Sequence, residues 1–281
     1  MSSRSAAIGI FDSGVGGLTV LEAIRARAPG ENLIYLGDTA RLPYGTKSPA
    51  SVQRYASRAA DYLLSQDIKL LVVACNTASA LALPELTRRL APTPVVGVVK
   101  PGAASAVRYS RNQRHLVLAT ETTASQLAYT QAILELQPDA VVQEVACSMF
   151  VALAEEGWGT GDIAAATAEK YLGMFRSRDH GARPDTAILG CTHFPLLRKV
   201  IAAVLGADIQ IVDSALTTAE RVAELLDEFG LAAPPDAAGQ LRMLATDGAE
   251  RFARVGGNFL GQDLSAADIE IVDLQPGAEL P

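Results

Sequence analysis

Short runs of β-branched and apolar residues alternate with longer stretches in which apolar residues recur every three or four positions. Ala7–Asp12 reads as a strand and Gly17–Ala28 as the helix that follows it. Asn32–Leu36 is a second strand and Lys69–Ala74 a third. The third is wholly apolar after its lysine, as a strand covered on both faces must be. Between the second and third lies a helix with clear punctuation. Ser48 is placed to cap it and Pro49 to occupy its first position. Val52, Tyr55, Ala56, Ala59, Tyr62 and Leu63 then fall on one helical face. Further strands are predicted at Val95–Val98, His115–Ala119, Ala140–Ala146, Thr186–Leu189, Ile209–Val212, Leu241–Ala245 and Ile269–Val272.

Strands alternating with helices require right-handed crossovers and a mostly parallel sheet. The rhythm does not suit an eight-fold barrel. It fits an α/β protein of two doubly wound parallel-sheet lobes, with the chain crossing over near Lys100-Pro101-Gly102 and returning near Asp213. Residues 1–99 with 213–281 would form one lobe and 100–212 the other.

Ligands in such folds sit beyond the carboxyl ends of the strands, so the residues after each strand carry the chemical interest. They are Asp12-Ser13-Gly14, Gly37-Asp38-Thr39, Cys75-Asn76-Thr77, Thr120-Glu121-Thr122-Thr123 and Gly190-Cys191-Thr192-His193. A reactive cysteine position falls in each half of the chain.

Composition narrows the possibilities. The chain has 281 residues, 49% apolar and 20% charged, which is enough for a full core. Its net charge of −7 gives no basic stripe for nucleic acid. No apolar run is long enough for a membrane span or a signal peptide, so the reading is a cytoplasmic protein. The three cysteines, Cys75, Cys147 and Cys191, are odd in number and widely spaced. That argues against a disulfide framework and against a CxxC metal site.

Each candidate has a plain structural reading beside its chemical one. Asp12-Ser13-Gly14-Val15-Gly16-Gly17 is neither a P-loop nor a dinucleotide fingerprint. It is as much a helix start as an anion cradle. In Gly37–Gly45, Pro43 and Gly45 fix a turn, and Tyr44 either packs or offers its hydroxyl or amide to a carboxylate. Cys75 is either a small buried residue or a thiol whose pKa the following helix start lowers. Cys191 has His193 two residues on, which could poise a thiolate, form half a metal site, or simply pack. Cys147 has no acid or base near it and reads as structural, while His115 and His180 read as structural or solvent-facing. Glu155 and Glu156 cannot both face one way on a helix.

Together, Ile10–Gly17, Gly37–Gly45, Val72–Ser79 and Leu189–Leu196 resemble the glutamate racemases, in that family's order from residue 8 to about 230. Ala119 and Ser148 depart from the family pattern, which has Gly and Pro there. The resemblance implies two similar lobes with the active site in the cleft between them, and no cofactor. It implies that Cys75 and Cys191 are the two bases, with Asp12 assisting Cys75, and Glu155 and His193 assisting Cys191. Asp12, Ser13, Tyr44, Gly45, Asn76, Thr77, Thr120, Thr123, Thr192 and His193 would hold glutamate. It further implies a homodimer and a supply of D-glutamate for peptidoglycan. The residues alone leave open an isomerase of aspartate or another small diacid, a Cys–His hydrolase or transferase, or a metal-binding protein.

Overall fold

The computed structural model describes residues 4–176 and 183–274; His180 lies outside them. The strands are β1 (Ile8–Asp12), β2 (Leu33–Gly37), β3 (Leu70–Val73), β4 (Val95–Gly97), β5 (Arg114–Ala119), β6 (Val141–Ala146), β7 (Thr186–Gly190), β8 (Gln210–Asp213), β9 (Leu241–Ala245) and β10 (Ile269–Ile271). The helices are α1 (Leu18–Arg27), α2 (Pro49–Leu64), α3 (Asn76–Arg89), α4 (Val99–Tyr109), α5 (Glu121–Ser125), α6 (Ala128–Leu136), α7 (Met149–Glu155), α8 (Gly161–Arg176), α9 (Arg198–Leu205), α10 (Ser214–Glu228) and α11 (Ala249–Leu260). Each strand expected from the sequence is present, within a residue or two of its expected ends.

The strands form two all-parallel sheets. One has six strands in the order β10-β9-β2-β1-β3-β4, and the other has four in the order β6-β5-β7-β8. Alternation along the strands explains why helices cover both faces. In the first sheet Ile8, Ile10 and Val72 enter the core shared with α1, whereas Phe11, Leu71 and Val73 enter the one shared with α2 and α3. In the second, Leu116, Leu118 and Leu189 join the core of α8 and α9, while Val117, Ala119 and Ile188 meet α4 and α6. Side chains that point alternately up and down require two apolar layers, one per face.

The predicted punctuation of α2 holds. Ser48 Oγ accepts a hydrogen bond from the Ser51 amide at 3.4 Å, Pro49 opens the helix, and Val52, Ala56, Ala59 and Leu63 are fully buried. By contrast, Gly17 begins α1 with no side-chain cap. Lys100-Pro101-Gly102 lies in the first turn of α4, which packs against β7, β8 and α6. Proline is tolerated there because first-turn amides have no intrahelical acceptor. The chain turns back at Asp213, whose side chain caps α10 through the Ala215 amide at 2.9 Å, and α10 packs against α1.

Candidate active site

Four adjacent strands of the first sheet, β2-β1-β3-β4, which end at its β4 edge, have the same order as the second sheet, β6-β5-β7-β8. In each, the chain leaves the first strand in one direction and the third in the other. A crevice therefore opens at the carboxyl ends of those two strands. Cys75 follows β3 and Cys191 follows β7, so the two thiols occupy equivalent places. Both line one cavity of about 30 Å³ that also touches Ser13, Asn76, Thr77, Thr120, Thr192 and His193, with Pro43 and Val151 as apolar wall.

Around Cys75 the surroundings are acidic and dry. Its Sγ lies 3.7 Å from Ser13 Oγ and receives the Ala78 amide at the start of α3. The sequence led us to expect that helix start to lower the thiol's pKa. Instead, burial and the neighbouring Asp12 carboxylate outweigh the amide and push it up to about 12. Asp12 is itself fully buried. Burial raises its carboxyl above the usual range, against His193 and the amides of Gly14, Gly17 and Ser13, with Gly14 N 3.0 Å from Oδ2. Its Oδ1 has no hydrogen-bond partner among the described residues. A buried carboxylate oxygen and a neutral thiol side by side suit a cationic ligand group, which would favour the charged form of each.

Around Cys191 the neighbour is a base. His193 Nδ1 lies 3.9 Å from Cys191 Sγ and 3.4 Å from Thr192 Oγ1, and its Nε2 is 3.3 Å from Glu155 Oε1. Burial alone would lower the imidazole pKa. The hydrogen bonds to Cys191 and Glu155, and the charges of Cys191 and Asp12, raise it from 6.5 to about 10. Glu155 is held below the usual carboxylate range, first by its hydrogen bond to His193 and, against burial, by Arg251. Arg251 Nη2 donates to Glu155 Oε2 at 2.8 Å. Of the adjacent pair, Glu155 thus turns toward the site and Glu156 toward solvent.

The other expected residues are drawn together as well, not always by the expected atom. The Tyr44 hydroxyl donates to Asp38 Oδ2 at 2.6 Å, so it is the Tyr44–Gly45 backbone that remains for a ligand. Thr77, Thr120 and Thr123 form a hydroxyl triangle with sides of 2.9, 3.1 and 3.2 Å joining the two lobes. Thr123 is fully buried behind Thr120. Asn76 Oδ1 accepts from Tyr129 Oη at 2.6 Å, while its Nδ2 has no partner among the described residues. The lobes meet so closely that a Cβ on Gly16 would lie 2.5 Å from His193 Nδ1, and one on Gly45 2.7 Å from Thr120 Oγ1.

Cys147 and His115 are structural. Cys147 is buried with its Sγ 3.6 Å from the Val145 carbonyl, and burial pushes its thiol up to about 12. His115 bridges Thr186 and Gln137 at 2.7 and 3.1 Å. Among the described residues no group of three His, Cys, Asp or Glu side chains is arranged to hold a metal ion, and no helix is long and apolar enough to cross a membrane. Tyr129, Val151 and Arg251 were not singled out by the sequence, and Asp38 was given no role in the site. Of these only Asp38 carried a signal, its place after β2.

Paired parallel-sheet lobes of this topology are the fold of solved amino-acid racemases, and the chain belongs to the Asp/Glu/Hydantoin racemase family, whose model matches residues 18–222. Within that family it groups with the glutamate racemases. The glutamate racemase of Geobacter metallireducens is 48% identical, covering 97% of this chain and 98% of its own. That of Chlorobium phaeobacteroides is 44% identical, covering 95% and 96%. The solved structure of the Francisella tularensis glutamate racemase in complex with D-glutamate superposes with a TM-score of 0.88 at 34% identity, covering 96% of this chain and 98% of that one.

Proposed function

We propose that the protein interconverts L- and D-glutamate by moving a proton at the α-carbon between two thiols, Cys75 and Cys191, without a cofactor. The single observation that carries this reading is the equivalent placement of the two cysteines on opposite lobes of one small cavity. Inverting a tetrahedral carbon requires proton removal on one face and delivery on the other. Two bases held on opposite sides do so without rotating the substrate. Cys75, assisted by Asp12, serves D-glutamate; Cys191, assisted by His193 and Glu155, serves L-glutamate.

The α-proton is very weakly acidic, so the carboxylate must accept the developing charge. The unpartnered Asn76 amide, the hydroxyls of Ser13, Thr77, Thr120 and Thr192, and the Tyr44–Gly45 backbone are suited to that, with Thr123 behind them bonded to the Thr77 and Thr120 hydroxyls. One such donor typically contributes about 2.7–4 kcal/mol in a site of this kind. The free Oδ1 of Asp12 suits the substrate ammonium, whose positive charge also eases ionisation of Cys75. In this reading residues 1–99 and 213–281 form the lobe of Cys75, and residues 100–212 that of Cys191. The enzyme works in the cytoplasm as a homodimer and supplies D-glutamate for peptidoglycan.

The test is incubation of the purified protein with L-glutamate in deuterated water, with no cofactor added. The circular dichroism of glutamate should decay to zero as deuterium enters at the α-carbon. Retention of both the signal and the α-proton would overturn the proposal.

A further inference from the structure

We infer that α11, from the C-terminal end of the chain, is a positioning element for the Cys191 half of the site, acting through Arg251 and Phe259. The strands β9 and β10 and the helix between them extend the first sheet beyond the four-strand order that the two sheets share. This unit lies past residue 222, where the match to the family model ends. The helix packs on α1 and β10, and so travels with the first sheet.

One of its faces nevertheless reaches the second lobe. Arg251, Val255 and Phe259 recur every four residues and so share a face. Arg251 holds Glu155 Oε2 at 2.8 Å, and the Phe259 ring stands edge-on to His193 with centroids 5.0 Å apart at 83°. Val255 is buried between them. Glu155 closes α7 and His193 follows β7, both in the second lobe. A helix of one lobe thus grips, from behind, the carboxylate–imidazole pair that serves the thiol of the other.

If the lobes part, Glu155 loses its guanidinium partner and His193 its aromatic wall together. The Cys191 half-site is fully assembled only when the lobes are closed. The acid beside Cys75 takes its hydrogen bonds from its own lobe, because Asp12 is held by amides of its own loop, Ser13, Gly14 and Gly17, and His193 acts on it only through its charge. Neither Arg251 nor Phe259 lines the central cavity, so both act through Glu155 and His193 rather than on the substrate.

This inference rests on Cys191 being one of the two bases, and the experiment separates the two claims. Arg251→Ala, Arg251→Lys and Cys191→Ser are made in the full-length protein and assayed in both directions across pH. Enantiomers have an equilibrium constant of unity, so kcat/KM must change equally both ways, and any asymmetry falls in kcat and KM separately. Arg251→Ala should lower kcat/KM roughly fivefold, the scale of a partly exposed ion pair, with an unchanged melting temperature. Arg251→Lys should recover most of the loss. The charged groups around Glu155 are His193, Arg251 and, across the same surface cleft, Asp247. Removing the cation makes Glu155 ionise at higher pH, so the acid limb of the profile should move up in Arg251→Ala and return in Arg251→Lys. A wild-type profile in Arg251→Ala, or an Arg251→Lys no better than alanine, overturns the role of α11 and leaves the two-base reading standing. Full racemisation by Cys191→Ser overturns both.

Discussion

The two half-sites share a topology and differ in everything around it. Each cysteine follows the third strand of a four-strand motif and ends up on the same small cavity. Cys75 is backed by a buried carboxyl fixed by backbone amides within its own lobe. Cys191 is backed by an imidazole, a carboxylate and a guanidinium, the last reaching over from the other lobe. Duplicated topology therefore fixes where the two thiols stand, but not what surrounds each. In the proposed mechanism the acid on one side is offset by the substrate's own cation, and on the other the protein supplies a proton-holding imidazole.

The largest effect should come from the thiols themselves. Cys75→Ser and Cys191→Ser should each reduce racemisation by at least about a thousandfold, within the usual span for loss of a positioned base. Both variants should melt cooperatively near the parent temperature. Similar losses in the two would show that the half-sites contribute equally to turnover despite their unlike surroundings. A variant with near-parent turnover would show that one half-site alone suffices.

A smaller loss is expected from crowding the seam between the lobes. Gly16→Ala would press a methyl group into Thr192 and His193 beside Cys191, and Gly45→Ala one into Thr120 of the same lobe. Holding the lobes apart by even about 1 Å should lower kcat/KM on the order of a hundredfold. Gly16→Ala should be the worse of the two, because the rigid imidazole cannot move aside without leaving Cys191. Steady-state kinetics of the two variants, measured side by side, would decide that ranking.

The smallest effect is on stability against pH. His193 has its pKa raised by folding, from 6.5 to about 10. The fold therefore favours the imidazolium, and that contribution is complete below pH 6.5 and lost as pH rises through about 10. The Cys75 and Cys147 thiols are also raised, from 9.0 to about 12, so their neutral forms are favoured and their contribution begins to fall only above pH 9. A decline in melting temperature between pH 6.5 and 9 should thus belong to the His193 side of the site. It should be much reduced in His193→Asn; an undiminished decline in that variant would detach it from the imidazole.

How much of this was legible in the sequence follows from the range of the interactions. Most strands announce themselves as short apolar runs, although β6, β9 and β10 carry Glu144, Arg242 and Glu270, and parallel sheets demand nothing longer. The polar residues after β1, β3, β5 and β7 could be gathered into one site by the topological rule alone. The partners that orient them could not. Arg251 is 96 residues from Glu155, and Tyr129 53 residues from Asn76, with no local pattern marking either. The sign of the Cys75 shift was equally hidden. A helix start is visible in the sequence, whereas the depth of burial and the carboxylate beside the thiol exist only once the chain has folded.

The cavity between the thiols, at about 30 Å³, has room for roughly one water molecule. Glutamate cannot enter without parting the hydroxyl triangle of Thr77, Thr120 and Thr123 and the close seams at Gly16 and Gly45. The closed protein thus competes with its own substrate. Apparent affinity is the intrinsic affinity reduced by the fraction of molecules standing open. Any change that loosens the seam without displacing the thiols will lower KM, up to the point where the lobes no longer close over the reacting carbon.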